Sequence, residues 1–233
     1  MTPTVNRRTY RSELRAAQAA ATRDSVLVAA RELFTAEGYD CPIARIAERA
    51  GVAVDTVYTS VGRKPALVLA VIDMVLGDAN QPLPAEQRGY VQRVRAATGA
   101  HEKIAIYSAA LAHVLPVVAP LLEALRDAGR KDPDCADTSQ RIEERRAGNM
   151  LLFAQDLRAT GELRDDLDDQ QVADLVWSTN SAEYYSLLSR QGWSSQRIGG
   201  HLADLWTRTL VDPAVWVPDA TARVAQGPSV RPL

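Results

Sequence analysis

The sequence predicts an all-α protein, a compact N-terminal three-helix unit followed by a larger helical bundle. Two observations carry this. Apolar residues recur at i, i+3, i+4 and i+7 in segment after segment, the spacing of one helix face. Residues 43–64, IARIAERAGVAVDTVYTSVGRK, read as a short helix, a glycine turn, a second short helix and a basic exit. That is the layout of a helix-turn-helix, which sets its second helix in the DNA major groove.

Composition and charge narrow the class. The chain has 233 residues, 46% apolar and 24% charged, an ordinary composition for a water-soluble protein of one large domain or two modest ones. No apolar run approaches the roughly 20 residues of a membrane helix. The longest, 105–122, is interrupted by Ser108, His113, Pro116 and Pro120. The N-terminus has arginines with no apolar region behind them, so no secretory signal is expected. Cys41 and Cys135 lack metal-site or disulfide spacing, which fits a reducing cytoplasm. The net charge of -2 argues against a general nucleic-acid coat. Residues 1–64 carry ten Lys/Arg against seven Asp/Glu, however, and the remainder carries seventeen against twenty-two. The basic excess therefore sits at the helix-turn-helix end, as phosphate binding requires.

Residues 1–21 form a basic arm with Arg7, Arg8, Arg11 and Arg15, helix-forming from Ser12 onward and otherwise expected to be mobile. An arm that reaches a minor groove and a solvated tail fit this stretch equally. A helix is expected from Thr22, its cap, to Gly38, its terminator. Val26, Ala29, Ala30, Leu33 and Phe34 form its apolar stripe. The next helix runs from about Ile43 to Ala50, with Pro42 at its first position. Ile46 and Ala47 face inward, and Gly51 makes the turn. The second short helix covers about Val54 to Ser60, with Val57 and Val61 inward and Val54, Asp55, Thr56, Tyr58 and Thr59 outward. Arg63 and Lys64 then lead into a connecting helix over 65–76.

Here the chain resembles the DNA-binding domain of TetR-family regulators. The resemblance rests on AARELFTAEGYD, on IARIAERAGVAVDTVY, and on a lysine six residues after the tyrosine. It covers roughly the first third of the protein. It implies nine or so helices, a homodimer on a palindromic double-stranded DNA operator, and a C-terminal domain, 77–211, for dimerisation and an unidentified small-molecule effector. Carried over by position, Thr56 and Tyr58 match recognition-helix residues that meet DNA, and Lys64 matches a phosphate contact. The chemistry agrees: Lys64 lies near a helix N-terminus, where anions are favoured. Tyr58 and Thr59 offer hydroxyls to phosphates. Arg45 and Arg63 add positive charge beside them. Val54, Asp55 and Thr56 open the recognition helix as base readers, Asp55 toward cytosine N4 and the methyls toward thymine. An acid in a first helical turn also complements the helix dipole, so Asp55 has a second explanation. Four departures stand out. Ala53 lacks a capping hydroxyl, Cys41-Pro42 replaces hydroxyl residues, Val61 replaces an aromatic, and Asp55 replaces a small residue.

Beyond Gly77 comes a linker-like stretch, DANQPLPAEQRG. A helix is expected over about 90–98 and a long one from Ala100, with Pro116 breaking it or starting the next segment, which continues as helix over 117–130. Others are expected over 135–160, 168–190 and 194–211. The last two would form the dimer's four-helix bundle, by the resemblance. The tail 212–233 contains several prolines, and Trp216 is a candidate to dock it.

No constellation for chemistry emerges. His101, His113 and His201 have no metal spacing, no phosphate loop or nucleophile elbow occurs, and neither catalytic residue, metal nor cofactor is expected. The carboxylates Asp165, Asp166, Asp168 and Asp169 read as helix caps. Polar and aromatic residues on inner faces are the pocket candidates: Tyr107, His113, Met150, Phe153, Trp177, Asn180 and Tyr184, with Tyr185 beside them. Core packing is the competing explanation for each. The functional expectation is a DNA-binding transcriptional regulator, a repressor released by its ligand. The alternative is an all-helical enzyme or ligand carrier that keeps the helix-turn-helix as scaffold.

Overall fold

A computed structural model describes residues 7–77 and 83–215. Among these residues the fold is ten α-helices with no sheet: α1 (Arg7–Glu37), α2 (Ile43–Ala50), α3 (Val54–Ser60), α4 (Lys64–Leu76), α5 (Gly89–Ala96), α6 (Ala100–Gly129), α7 (Pro133–Arg158), α8 (Asp169–Thr179), α9 (Ala182–Arg190) and α10 (Ser195–Leu210). The N-terminal unit is α1 to α3 packed on the first half of α4. The larger body surrounds α6, which touches α4, α5, α7, α9 and α10.

In the N-terminal unit the expected stripe is the core. Val26, Ala29, Ala30 and Phe34 of α1 bury against Ile46, Ala47, Val57, Leu67 and Val68. Gly38 and Gly51 end α1 and α2 with φ of 80° and 69°, the left-handed conformation that glycine adopts without strain. Ala53 stands at the N-cap of α3 and makes no side-chain cap, and Pro42 caps α2 equally poorly. These short helices are held by packing. Pro42 precedes α2 instead of occupying its first turn.

Four expectations need correction. First, α1 begins at Arg7 and runs through Thr22, which is no cap. Residues 12–21, SELRAAQAAA, are such good helix formers that nothing stops the helix there. Residues 1–6 of the basic arm lie outside the described residues, as do 78–82 of the linker and Trp216 with the rest of the tail. Second, α6 runs unbroken through Pro116 and Pro120. The prolines lie four apart on the outer side of the helix. The opposite side buries Leu111, Leu115, Val118, Ala119 and Leu122, and that burial outweighs the roughly 3 kcal/mol cost of a helical proline. Third, the segment expected as one helix over 168–190 is two. Ser181 accepts a hydrogen bond from the Tyr184 backbone N–H (3.1 Å) and starts α9 afresh. Fourth, α6 is long and apolar enough to cross a membrane by length and composition, with a mean hydropathy of 1.9 over its best window. Here it is the central core helix of the body.

Of the four carboxylates expected as caps, Asp168 is the one that caps α8. Asp168 and Gln171 form a reciprocal capping box at α8, and Asp169 and Asp166 pair with Arg158 and Arg164. Buried Lys103 donates to the carbonyl of Val94 at 2.7 Å, binding the free end of α5 to α6. Buried Trp206 of α10 donates from Nε1 to Thr179 at 2.7 Å and stacks on Tyr107.

Candidate nucleic-acid interface and ligand cavity

The surface of α3 follows from its phase. Val57 turns inward and is fully buried, so Val54, Asp55, Tyr58 and Thr59 face out, and Thr56 is half-buried. Val54 and Tyr58, one helical turn apart, are left 38% and 44% exposed. The Thr59 hydroxyl donates back to the Asp55 carbonyl at 2.9 Å, so its proton is engaged within its own helix. Arg23 of α1 donates to the Ser60 carbonyl at 2.6 Å and fixes the end of α3. No sequence pattern had marked that contact.

The basic residues are placed less simply. Lys64 is the first residue of α4, as expected at a helix N-terminus, but its ammonium lies 4.6 Å from the centre of the Tyr39 ring. Burial lowers its pKa, with Asp40 opposing. Tyr39 in turn meets the Cys135 thiol at 3.3 Å, and burial raises the pKa of both groups. Arg63 pairs with Asp134 of α7 at 3.1 Å and Arg45 with Glu37 of α1. Arg63, Lys64, Tyr58 and Tyr39 line one shallow depression with Asp132 and Asp134. The helix-turn-helix unit and the body therefore meet through the residues that close the helix-turn-helix.

Within the body, α4, α5, α6 and α7 enclose a cavity of about 200 Å³. Tyr107, Met150, Phe153 and Asn180 line it, as expected. The other candidates do not. His113 is exposed, Trp177 faces outward under the Arg146 guanidinium, and Tyr184 bonds to His201 at 2.7 Å away from the cavity. Buried Tyr185 is also absent from the lining. The lining includes residues the sequence had not singled out: Ile72 and Leu76 of α4, Tyr90 and Val94 of α5, and Arg88, Arg145 and Arg146. Asn180 finds its partners in the cavity wall, donating to the Tyr107 hydroxyl at 2.9 Å and accepting from Arg146 at 2.6 Å. Burial holds the Tyr107 phenol in its neutral form. Asp73 of α4 lies 2.8 Å from Arg145 and 3.8 Å from buried Arg88. The Arg145 contact is one of charge, because no N–H is aimed at that buried carboxylate oxygen. Among the described residues no group of three or more His, Cys, Asp or Glu is placed to hold a metal ion.

Comparison with known proteins fits this geometry. Residues 26–71 match the model of the bacterial regulatory proteins of the tetR family. No curated protein sequence matches the chain. Among solved structures, SmeT, the repressor of the Stenotrophomonas maltophilia multidrug efflux pump SmeDEF, aligns with a TM-score of 0.59 at 19% identity, over 85% of this chain and 94% of SmeT. The SmeT–triclosan complex aligns at 0.61 and 18%, over 91% and 100%. A TetR transcriptional regulator from Chloroflexus aurantiacus aligns at 0.56 and 18%, over 83% and 98%. At these identities the structures establish a shared fold, and the regulators named carry it from end to end. Residues 26–71 thus match the tetR-family model, and the fold of the whole is that of these regulators.

Proposed function

We propose that this protein is a cytoplasmic, dimeric regulator of transcription, a repressor released from a palindromic operator by a small molecule bound in the cavity. One observation carries the proposal. Helix α4 starts at Lys64, beside the recognition helix, and its far end supplies Ile72 and Leu76 to the cavity wall. One rigid element thus touches both places. A molecule that fills the cavity better in one position of α4 shifts the spacing of the two recognition helices in the dimer. SmeT, of the same fold, is a repressor and has been solved with triclosan. Exposed Leu187 and half-buried Tyr184, Leu188 and Leu205 of α9 and α10 leave an apolar face for the second copy.

On DNA, Val54, Asp55 and Thr56 read base edges, while Tyr58 and Lys64 fix register on phosphates. Thr59 contributes only as an acceptor or by contact, because its proton is used. Arg45 and Arg63 reach phosphates by leaving Glu37 and Asp134. Exposed pairs of this kind are worth about 0–1 kcal/mol, so the exchange is easy. Gel shifts on the gene's own upstream DNA test this face. Lys64→Ala and Tyr58→Phe should each weaken binding about five- to tenfold. Lys64→Ala should also reduce the salt slope by about 1, and the melting temperature should hold in both variants. Unchanged affinity in both would put the DNA face elsewhere.

A further inference from the structure

The chemistry of the cavity wall specifies a class of ligand, an inference that rests on the effector reading above. Each of the four helices around the cavity gives it apolar side chains: Ile72 and Leu76 from α4, Val94 from α5, Leu115 and Val118 from α6, and Phe153 from α7. An apolar cavity of about 150 Å³ holds benzene. By that measure a volume of about 200 Å³ suits a molecule of roughly eight to ten heavy atoms.

The charges at the wall cancel. Arg146 pairs with Glu143 at 2.6 Å, and Arg145 and Arg88 share Asp73 at 2.8 Å and 3.8 Å. Glu86, Arg95 and Asp156 complete the charged part of the lining. Arginines and carboxylates are therefore equal in number, and no charge is left over to hold an ion of either sign. An ion that entered would give up its hydration with no counterion in exchange, which is costly.

The buried polar side chains of the wall offer hydrogens. The Tyr107 hydroxyl accepts from Asn180 at 2.9 Å, and its own proton goes to the Met150 sulfur at 3.5 Å. A thioether is a weak acceptor, and 3.5 Å is a long contact. Buried Arg88 spends one N–H on the Leu83 carbonyl at 3.2 Å and lies beyond hydrogen-bond distance of Asp73. The side-chain oxygen of Asn180 is already taken by Arg146 at 2.6 Å. A ligand oxygen that accepts the phenolic proton improves on the thioether.

We infer that the cavity takes an uncharged, largely apolar molecule with one hydrogen-bond acceptor, such as a ketone, ester or ether, whose oxygen takes the Tyr107 proton in place of Met150. The full-length protein is titrated calorimetrically at pH 7 with 2-octanone, octanoate and octylammonium, which share a carbon count. The ketone should bind at least tenfold tighter than either ion. Tyr107→Phe should weaken 2-octanone about two- to tenfold, the range for a neutral hydrogen bond. Met150→Leu removes the competing acceptor and should leave 2-octanone binding equal or tighter. Mere packing of the pair would weaken binding in both variants. If Tyr107→Phe fails to fold by circular dichroism, the head-group series and Met150→Leu still decide. Either ion binding as tightly as 2-octanone, 2-octanone binding unchanged in a folded Tyr107→Phe, or no binding by any probe would overturn the inference. A DNA arm separates the two readings. 2-Octanone that binds without loosening the protein from DNA upholds the ligand class and contradicts release by ligand. An ion that alone binds and releases DNA does the reverse.

Discussion

Lys64 and Tyr107 show how much one residue's surroundings add to its identity. The spacing of Lys64 from Tyr58 carries our proposal that it binds phosphate. The structure adds that its ammonium lies over the Tyr39 ring. Tyr107, Met150, Phe153 and Asn180 could be picked from the sequence as polar or soft groups on apolar faces. His113, Trp177 and Tyr184 met the same criterion and fail it here. Helical phase tells inside from outside, and α7, α8 and α9 each have more than one buried or half-buried side. Which side borders a void depends on how the helices pack. The buried phenols also make a pH prediction. Burial raises the pKa of Tyr107 and Tyr39 above the unfolded value of 10.0. Below that pH both states hold the proton and these groups add no slope. Above it the unfolded chain loses protons that the native state keeps, so stability falls with rising pH. Urea midpoints measured from pH 8 to 11 should be level at first and then fall. Tyr107→Phe should flatten the fall, and an identical fall in that variant would contradict the assignment.

At the scale of elements, the sequence was most legible where helices are short and sharply punctuated. Helices α2, α3 and α10 lie almost where the Gly51 turn, the apolar spacing and the Ser194 cap put them. It was least legible where a local rule met a strong neighbour. Thr22 resembles a cap but stands in a run of helix formers, and Pro116 resembles a break but stands on the outer side of a helix anchored on its other side. Ser181 was overlooked because the apolar pattern runs on across it, although a serine followed by an acid two residues later can open a helix. The contact of α10 with α6 adds a further test. A Cβ at Gly199 would lie 2.9 Å from the Ala112 Cβ and 3.0 Å from the Ser108 carbonyl, whereas one at Gly200 meets nothing within 4 Å. Gly199→Ala should cost about 1–3 kcal/mol by forcing the helices apart. Gly200→Ala should gain up to about 1 kcal/mol from helix propensity. Denaturant midpoints of the pair check this, and equal effects would contradict the close packing.

At the scale of the molecule, the helix-turn-helix was legible because its core positions recur at helical spacing around one glycine turn: Ile46, Ala47, Gly51, Val52 and Val57. The body has no such pattern, since many apolar sequences fill a helical bundle equally well. Of the link between the two, the connecting helix was readable but its contacts were not. It consists of α4 with its Asp73 contacts to Arg88 and Arg145, and of Arg63 on Asp134. These pairs join residues distant in sequence, and charges spaced so widely carry no local signature. The central claim is that this architecture serves sequence-specific DNA binding. It is tested most directly by fluorescence anisotropy, with the full-length protein titrated into a duplex from its own upstream region and into an unrelated duplex of equal length. The account predicts affinity for the upstream duplex at least about 10³-fold higher, falling linearly with salt on logarithmic axes. Equal affinity for the two duplexes, or binding indifferent to salt, would contradict it.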